Sequence, residues 1–119
     1  MAIPTKDRVK KYTNTLHGRF KELLKGAKHN SKRRNESFEL SYEDLEIMYN
    51  QQNGLCVYTN WKMSTVTNDP KLMSVERKDS SKPYSRENVV LVCWCVNRAK
   101  NTMLFEDFLE MCKAVLKNN

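Results

Sequence analysis

The stretch Met73–Asn101, MSVERKDSSKPYSRENVVLVCWCVNRAKN, decides how this chain is read. It is entered through an apolar-polar alternation, Leu72-Met73-Ser74-Val75, which runs into the charged cluster Glu76-Arg77-Lys78-Asp79. Alternation of period two marks a half-buried strand. A polar loop with Pro83 and Tyr84 follows. Proline has no amide donor, so this loop cannot enter a sheet interior. Asn88 leads into the run Val89-Val90-Leu91-Val92, which reads as a buried return strand. Cys93–Asn101 reads as a short helix with Asn97, Lys100 and Asn101 on one face, because residues three and four apart are helical neighbours. The order is strand, loop, strand, helix, with a carboxylate on the first strand set against an amide on the helix.

Such an arrangement suits a cation site. Phosphodiester cleavage needs a metal to neutralise the scissile phosphate and a group that activates water. Glu76 and Asn97 are oxygen donors of the kind Mg²⁺ accepts, and Mg²⁺ keeps several waters beside few protein ligands. Lys100 and Asn101 share the face of Asn97 and are candidates for contact with the phosphate.

Working outward, 119 residues and 14.0 kDa fit one domain with a modest core, and 39% hydrophobic residues predict a globular chain. The expected division is a basic helix and arm over 1–37 that belongs to the same domain as 38–119. The net charge of +7 is unevenly spread. Residues 1–34 hold eleven Lys or Arg against two acids, whereas the rest of the chain has two more acids than bases. A concentrated positive end implies a polyanionic partner, most simply DNA, bound by phosphate neutralisation. The candidate phosphate contacts are Lys10, Lys11, Arg19, Lys32, Arg33, Arg34 and Lys78. The alternative for such a charge run is a solvated face. No run of about 18 apolar residues predicts a membrane span. The N-terminus lacks an apolar signal core, and the four cysteines contain no C-x-x-C, so the expected compartment is the cytoplasm, with reduced thiols.

Residues 7 to about 28 carry Val9, Tyr12, Leu16, Phe20, Leu23, Leu24 and Ala27 at helical spacing, with Thr5 or Asp7 as candidate caps. Gly26 is a candidate end, and 28–37 is expected to be a basic loop or flexible arm. Ser41 with Asp44 three residues on predicts the start of a second helix, ending near Asn50–Asn53 before Gly54. Leu55–Tyr58 reads as a short strand and 61–71 as a loop. A last helix over Phe105–Lys117 has Phe108, Leu109, Cys112, Val115 and Leu116 as its expected core face. Tyr84 and Trp94 are expected to pack in core or loop, leaving Trp61 as the aromatic candidate for a base or sugar.

The elements Gln52-x-Gly54-x-Cys56-x-Tyr58-Thr59, Ser74-Val75-Glu76-Arg77-x-Asp79, Tyr84, Asn88-Val89, Val92-Cys93 and Asn97-x-x-Lys100 together resemble small HNH endonucleases. The similar variant is the phage and mobile-element type, with S-[LIV]-D-R-x-D followed by G-Y-x-x-x-N. Glu106-Asp107-Phe108 is similar to its terminal segment, so the resemblance spans roughly residues 40–112. It implies an α+β fold with a ββα-metal core between flanking N- and C-terminal helices, and a DNA endonuclease dependent on Mg²⁺ or Mn²⁺. By that resemblance Glu76 and Asn97 are the metal ligands, and Arg77 stands where the better-known members carry a histidine base. Asn88 ties the loop between the strands by hydrogen bonds, and Lys100 with Arg77 stabilises charge.

Departures from the pattern shape the expectation. Glu76 replaces an aspartate and Pro83 a glycine, and the motif holds no histidine. The chain has only His17 and His29, and Arg77 stays protonated. Water activation would fall to His29, Asp79 or a metal-bound hydroxide; failing those, the chain binds nucleic acid without cutting it. Cys56 and Cys93 are each half of a C-x-x-C pair, which argues against a structural Zn²⁺.

Overall fold

The computed structural model of the chain describes residues 14–119. The order is α1 (Leu16–Arg33), β1 (Phe38–Glu39), α2 (Tyr42–Gln51), β2 (Met73–Arg77), β3 (Tyr84–Ser85), a 3₁₀ turn over Arg86–Asn88, β4 (Val89–Cys93), α3 (Trp94–Lys100) and α4 (Phe105–Lys117). The fold is α+β. The β2–β4 hairpin is antiparallel, with Met73 opposite Cys93, Glu76 opposite Val90 and Arg77 opposite Val89. A second small sheet pairs β1 with β3 in parallel, Phe38 beside Tyr84.

The hairpin and its helix follow the sequence reading closely. Met73, Leu91, Val92 and Cys93 are fully buried, so the apolar run closes the core from one side. No linker separates β4 from α3. The first turn of α3 has no side-chain cap; instead Trp94 N donates to Leu72 O at 2.7 Å and Cys95 N to Pro70 O at 2.9 Å. Free amide donors at a helix start need such partners, and these two lock α3 against the entry to β2. Asn101, at φ 49°, ends the helix.

Helix α1 departs from its expected bounds. Residues 1–13, including Lys10, Lys11, Val9, Tyr12 and both candidate caps, lie outside the described residues. Within them the cap is Thr15, whose side chain accepts from Gly18 N at 3.0 Å. A helix running unbroken from residue 7 is therefore corrected to one starting at Leu16. Its end is corrected as well, since it passes Gly26 and continues to Arg33. Ala27 and Ser31 are buried beyond that glycine, and Ser31 Oγ donates to Ala27 O at 2.9 Å. Tertiary burial of that face outweighs the roughly 1 kcal/mol that a mid-helix glycine costs. The expected arm over 28–37 is thus mostly helical. Phe20, 5.4 Å from Tyr42 and 5.7 Å from Tyr49 in edge-on contacts, fastens α1 to α2, so α1 shares the core of 38–119.

The start of α2 matches its sequence signature. Ser41 Oγ accepts from Asp44 N, and Asp44 Oδ2 accepts from Ser41 N, a reciprocal capping box. Gly54 follows at φ +71°, and a Cβ there would stand 2.9 Å from Tyr49 Oη, so the turn requires glycine. The expected strand over Leu55–Tyr58 is a turn with a single bridge, Leu55 to Lys62. Gln52 explains this. Its amide donates to Leu91 O at 2.8 Å and accepts from Leu91 N at 3.1 Å, leaving Val57 N, 3.3 Å from Leu91 O, as the one backbone bond from this segment to β4.

Two further corrections concern burial. Of the expected core face of α4, Phe108 alone is buried, while Leu109, Cys112, Val115 and Leu116 are exposed. Trp94 is 46% exposed because the backbone contacts of the first α3 turn direct it away from the sheet, whereas Tyr84 is buried as expected. Among the described residues no helix is long and apolar enough to cross a membrane.

Candidate functional site

Hairpin and helix bring Glu76 and Asn97 to one cleft of about 290 Å³. Its walls include Arg34 from the end of α1, Arg77 and Ser80 from the hairpin, and Trp94, Arg98 and Thr102 from α3 and its exit. Asn97 is held firmly. Its amide donates to Ser74 Oγ at 2.8 Å and to Val75 O at 3.3 Å, clamping α3 across β2. Both amide hydrogens being engaged, Oδ1 is the free acceptor of that side chain.

Glu76 is the unusual member. It is 3% exposed, and neither carboxylate oxygen has a hydrogen bond of good geometry, the donors beside it being the Tyr58 phenol and Lys100. Buried polar atoms are nearly always well paired, so a buried carboxylate bonded this poorly calls for a reason. Its compensation is Lys100, also 3% exposed, whose Nζ lies 3.4 Å from Glu76 Oε1. The Tyr58 phenol lies within hydrogen-bond reach of the same carboxylate; burial first, then that hydrogen bond and the Glu76 charge, pushes its pKa up. Lys100 does not line the cleft, so the expected phosphate contact from this residue is corrected to an internal ion pair.

Arg77 lines the cleft while anchored behind it. Nη1 donates to Lys82 O at 3.0 Å and pairs with Glu36 Oε1 at 3.5 Å, and the guanidinium lies 5.2 Å from the centre of the Tyr84 ring. Asn88 stands away from the cleft. Its Oδ1 accepts from Asp79 N at 3.0 Å, and its amide donates to Asp79 O, Pro83 O and Lys82 O. This stitches the loop over 79–87 to the start of β4. Asp79 is turned into the same loop, where its carboxylate accepts from Ser81 Oγ and Ser81 N. These two bonds hold its pKa below the usual carboxylate range.

The candidate phosphate contacts are distributed unevenly. Arg34 reaches the cleft, while Lys32 and Arg33 are exposed on the last turn of α1 next to it. Arg19 is committed elsewhere, its Nε donating to Met73 O at 2.8 Å. Burial lowers its pKa, with Glu22 offsetting part of the effect. It lines a neighbouring hollow that shares Asn97 with the main cleft. Lys78 is exposed on another face, beside Arg86 and Val90. Trp61 is exposed under the ammonium of Lys71, 4.7 Å from the ring centre, and does not approach the cleft. His29 is exposed on α1 outside the cleft, and His17 Nδ1 is 2.8 Å from Tyr42 Oη.

Sequence reasoning missed Arg98 and Trp94 as walls of the cleft and Tyr58 as a neighbour of Glu76. The four-residue step from Trp94 to Arg98, which brings the guanidinium 5.8 Å from the indole centre, was the available signal for the first two. Nothing local marks Tyr58, which arrives through the turn that Gln52 organises.

The donor set fits a hard divalent cation such as Mg²⁺ or Mn²⁺ held mostly by water: a carboxylate without a well-formed hydrogen bond and an amide oxygen on one cleft. Lys100 competes for the same carboxylate. Among the described residues no three His, Cys, Asp or Glu side chains gather as a metal-binding group. Cys56 and Cys93 are buried together, and burial with the neighbouring Cys56 pushes the Cys93 thiol up to about 12. The fold and site therefore define an α+β domain with an acidic residue at the base of an arginine-walled cleft. Comparison with known protein families, curated proteins and solved structures returns no match for this chain.

Proposed function

We propose that the chain is a divalent-metal-dependent DNA endonuclease of the HNH type. One observation carries the reading: the buried Glu76 carboxylate, without a hydrogen bond of good geometry, sits with Asn97 on a cleft whose charged walls are otherwise Arg34, Arg77 and Arg98. Three guanidiniums around one carboxylate favour a phosphodiester that brings its own negative charge. Glu76 and Asn97 would hold Mg²⁺ or Mn²⁺, with Lys100 yielding its share of the carboxylate. When bound, the cation would neutralise the scissile phosphate and lower the pKa of a coordinated water. Arg77, fixed by Lys82, Glu36 and Tyr84, presents a positioned charge to the phosphate. Asn88 keeps the loop beside it in shape.

Supercoiled plasmid incubated with Mg²⁺ or Mn²⁺ tests the proposal. Nicking is expected from the natural chain and is lost in Glu76→Gln and Asn97→Ala, with thermal melts confirming that each variant folds. The cation should also raise the melting temperature of the natural chain and not that of Glu76→Gln.

The Glu76–Lys100 pair favours a second reading, a nucleic-acid-binding module on the same fold in which the ammonium replaces the metal. Tight binding with neither nicking nor a cation-dependent melting shift selects it. Both readings share a footprint. Replacing Lys32, Arg33 and Arg34 together with alanine should reduce the slope of log affinity against log salt by about two to three, close to one per lost phosphate contact. An unchanged slope removes these three residues from the footprint.

A further inference from the structure

Trp94 opens α3 with 46% of its surface exposed. One exposed aromatic residue is ordinary in itself, but this one borders two hollows at once. The first is the arginine-walled cleft of Glu76 and Asn97. The second, of about 280 Å³, is lined by Thr67, Asn68, Asp69 and Leu72. The backbone fixes the residue between them, since Trp94 N donates to Leu72 O at 2.7 Å and Cys95 N to Pro70 O at 2.9 Å.

The charges around the indole specify what it meets. Arg98 places its guanidinium 5.8 Å from the ring centre, and Arg34 and Arg77 stand on the same cleft. Guanidiniums suit phosphate oxygens. An aromatic face beside them suits the base carried by that phosphate or its neighbour. Inside a duplex each base is covered above and below by its neighbours and paired along its edge, so its face cannot reach an indole. An unpaired base can, and stacking on aromatic side chains is how single strands are commonly held. The second hollow leaves room beside the ring, and Asn68 on its lining carries both a donor and an acceptor suited to a base edge.

We propose that Trp94 is a stacking platform for an unpaired base, so that the DNA strand presented to Glu76 and Asn97 is single-stranded next to the bound phosphate. This rests on the reading of the cleft as a DNA site and not on cleavage there.

Binding in metal-free buffer tests it without any cutting. The chain has two tryptophans, so the full chain carrying Trp61→Phe reports on Trp94 alone. A short oligothymidine should quench that emission, and a blunt hairpin duplex with the same number of phosphates should not. Trp94→Ala, shown by thermal melting to fold, should weaken binding of the oligothymidine by about tenfold or more. It should leave binding of the hairpin and of an abasic oligomer of equal length unchanged. Trp94→Phe keeps a ring and should recover most of the loss. Equal losses on all three DNAs overturn the platform, as does quenching by the hairpin as strong as by the oligothymidine. Binding of oligothymidine and hairpin that is indifferent to Trp94→Ala also overturns it and leaves the DNA reading of the cleft standing. Binding of neither overturns both.

Discussion

Lys100→Ala should destabilise the fold by about 3–5 kcal/mol, measured as a shift in urea unfolding, although Lys100 lies on a short surface helix. The cause is what it leaves behind. Glu76 is as buried as Lys100, neither of its oxygens has a hydrogen bond of good geometry, and the ammonium at 3.4 Å is the cation that compensates its charge. Removing one member of such a pair leaves a largely buried charge uncompensated. Removing both costs much less, so Glu76→Leu combined with Lys100→Met should recover most of the loss. Lys100→Met alone keeps an apolar side chain of similar length, so it should still cost most of the loss if the charge matters and little if only the lysine stem packs. Divalent cations add a second readout. If Glu76 is a metal ligand, Mg²⁺ or Mn²⁺ should raise the stability of Lys100→Ala and leave the double variant unmoved.

The second large effect falls on Asn88. Asn88→Ala should cost about 3 kcal/mol and make the loop over 79–87 sensitive to protease, because one side chain satisfies the amide of Asp79 and the carbonyls of Asp79, Lys82 and Pro83. Asn88→Asp is the sharper probe. The introduced carboxyl keeps the acceptor for Asp79 N and places negative charge against three carbonyl oxygens. Its pKa in the folded state is therefore raised above the unfolded value of about 3.9. Below that value both states are protonated and the charge penalty is absent. As pH rises through the interval between the two pKa values the penalty grows, and it is complete above the folded one. Stability relative to the natural chain should fall with rising pH across the weakly acidic range, and a flat difference would show that the carbonyls do not face position 88.

Both predictions rest on residues singled out from sequence, yet their roles were not equally visible there. Asn88 precedes a β-branched run and follows a proline-containing loop, and asparagine readily bonds nearby backbone. Its stitching role is local, spanning nine residues at most, and so it could be anticipated. Lys100 was placed correctly on the face of Asn97 but assigned outward, to a phosphate. Helical spacing fixes which residues share a face and is silent on whether that face meets solvent or a buried acid.

The same division runs through the whole molecule. Sequence by itself determined the hairpin, the helix that follows it, the Ser41–Asp44 cap and the glycine turn at 54, because each is written in contacts a few residues apart or in a period of two or 3.6. It determined the gathering of positive charge at one end as well. Only the tertiary structure decided that α1 runs on past Gly26, that Gln52 shares the edge of β4 with Val57, that Trp94 and Arg98 wall the cleft, and that most of α4 is exposed among the described residues. Each of these turns on which surfaces meet across tens of residues, where burial energy overrides local preference and no spacing rule records the outcome.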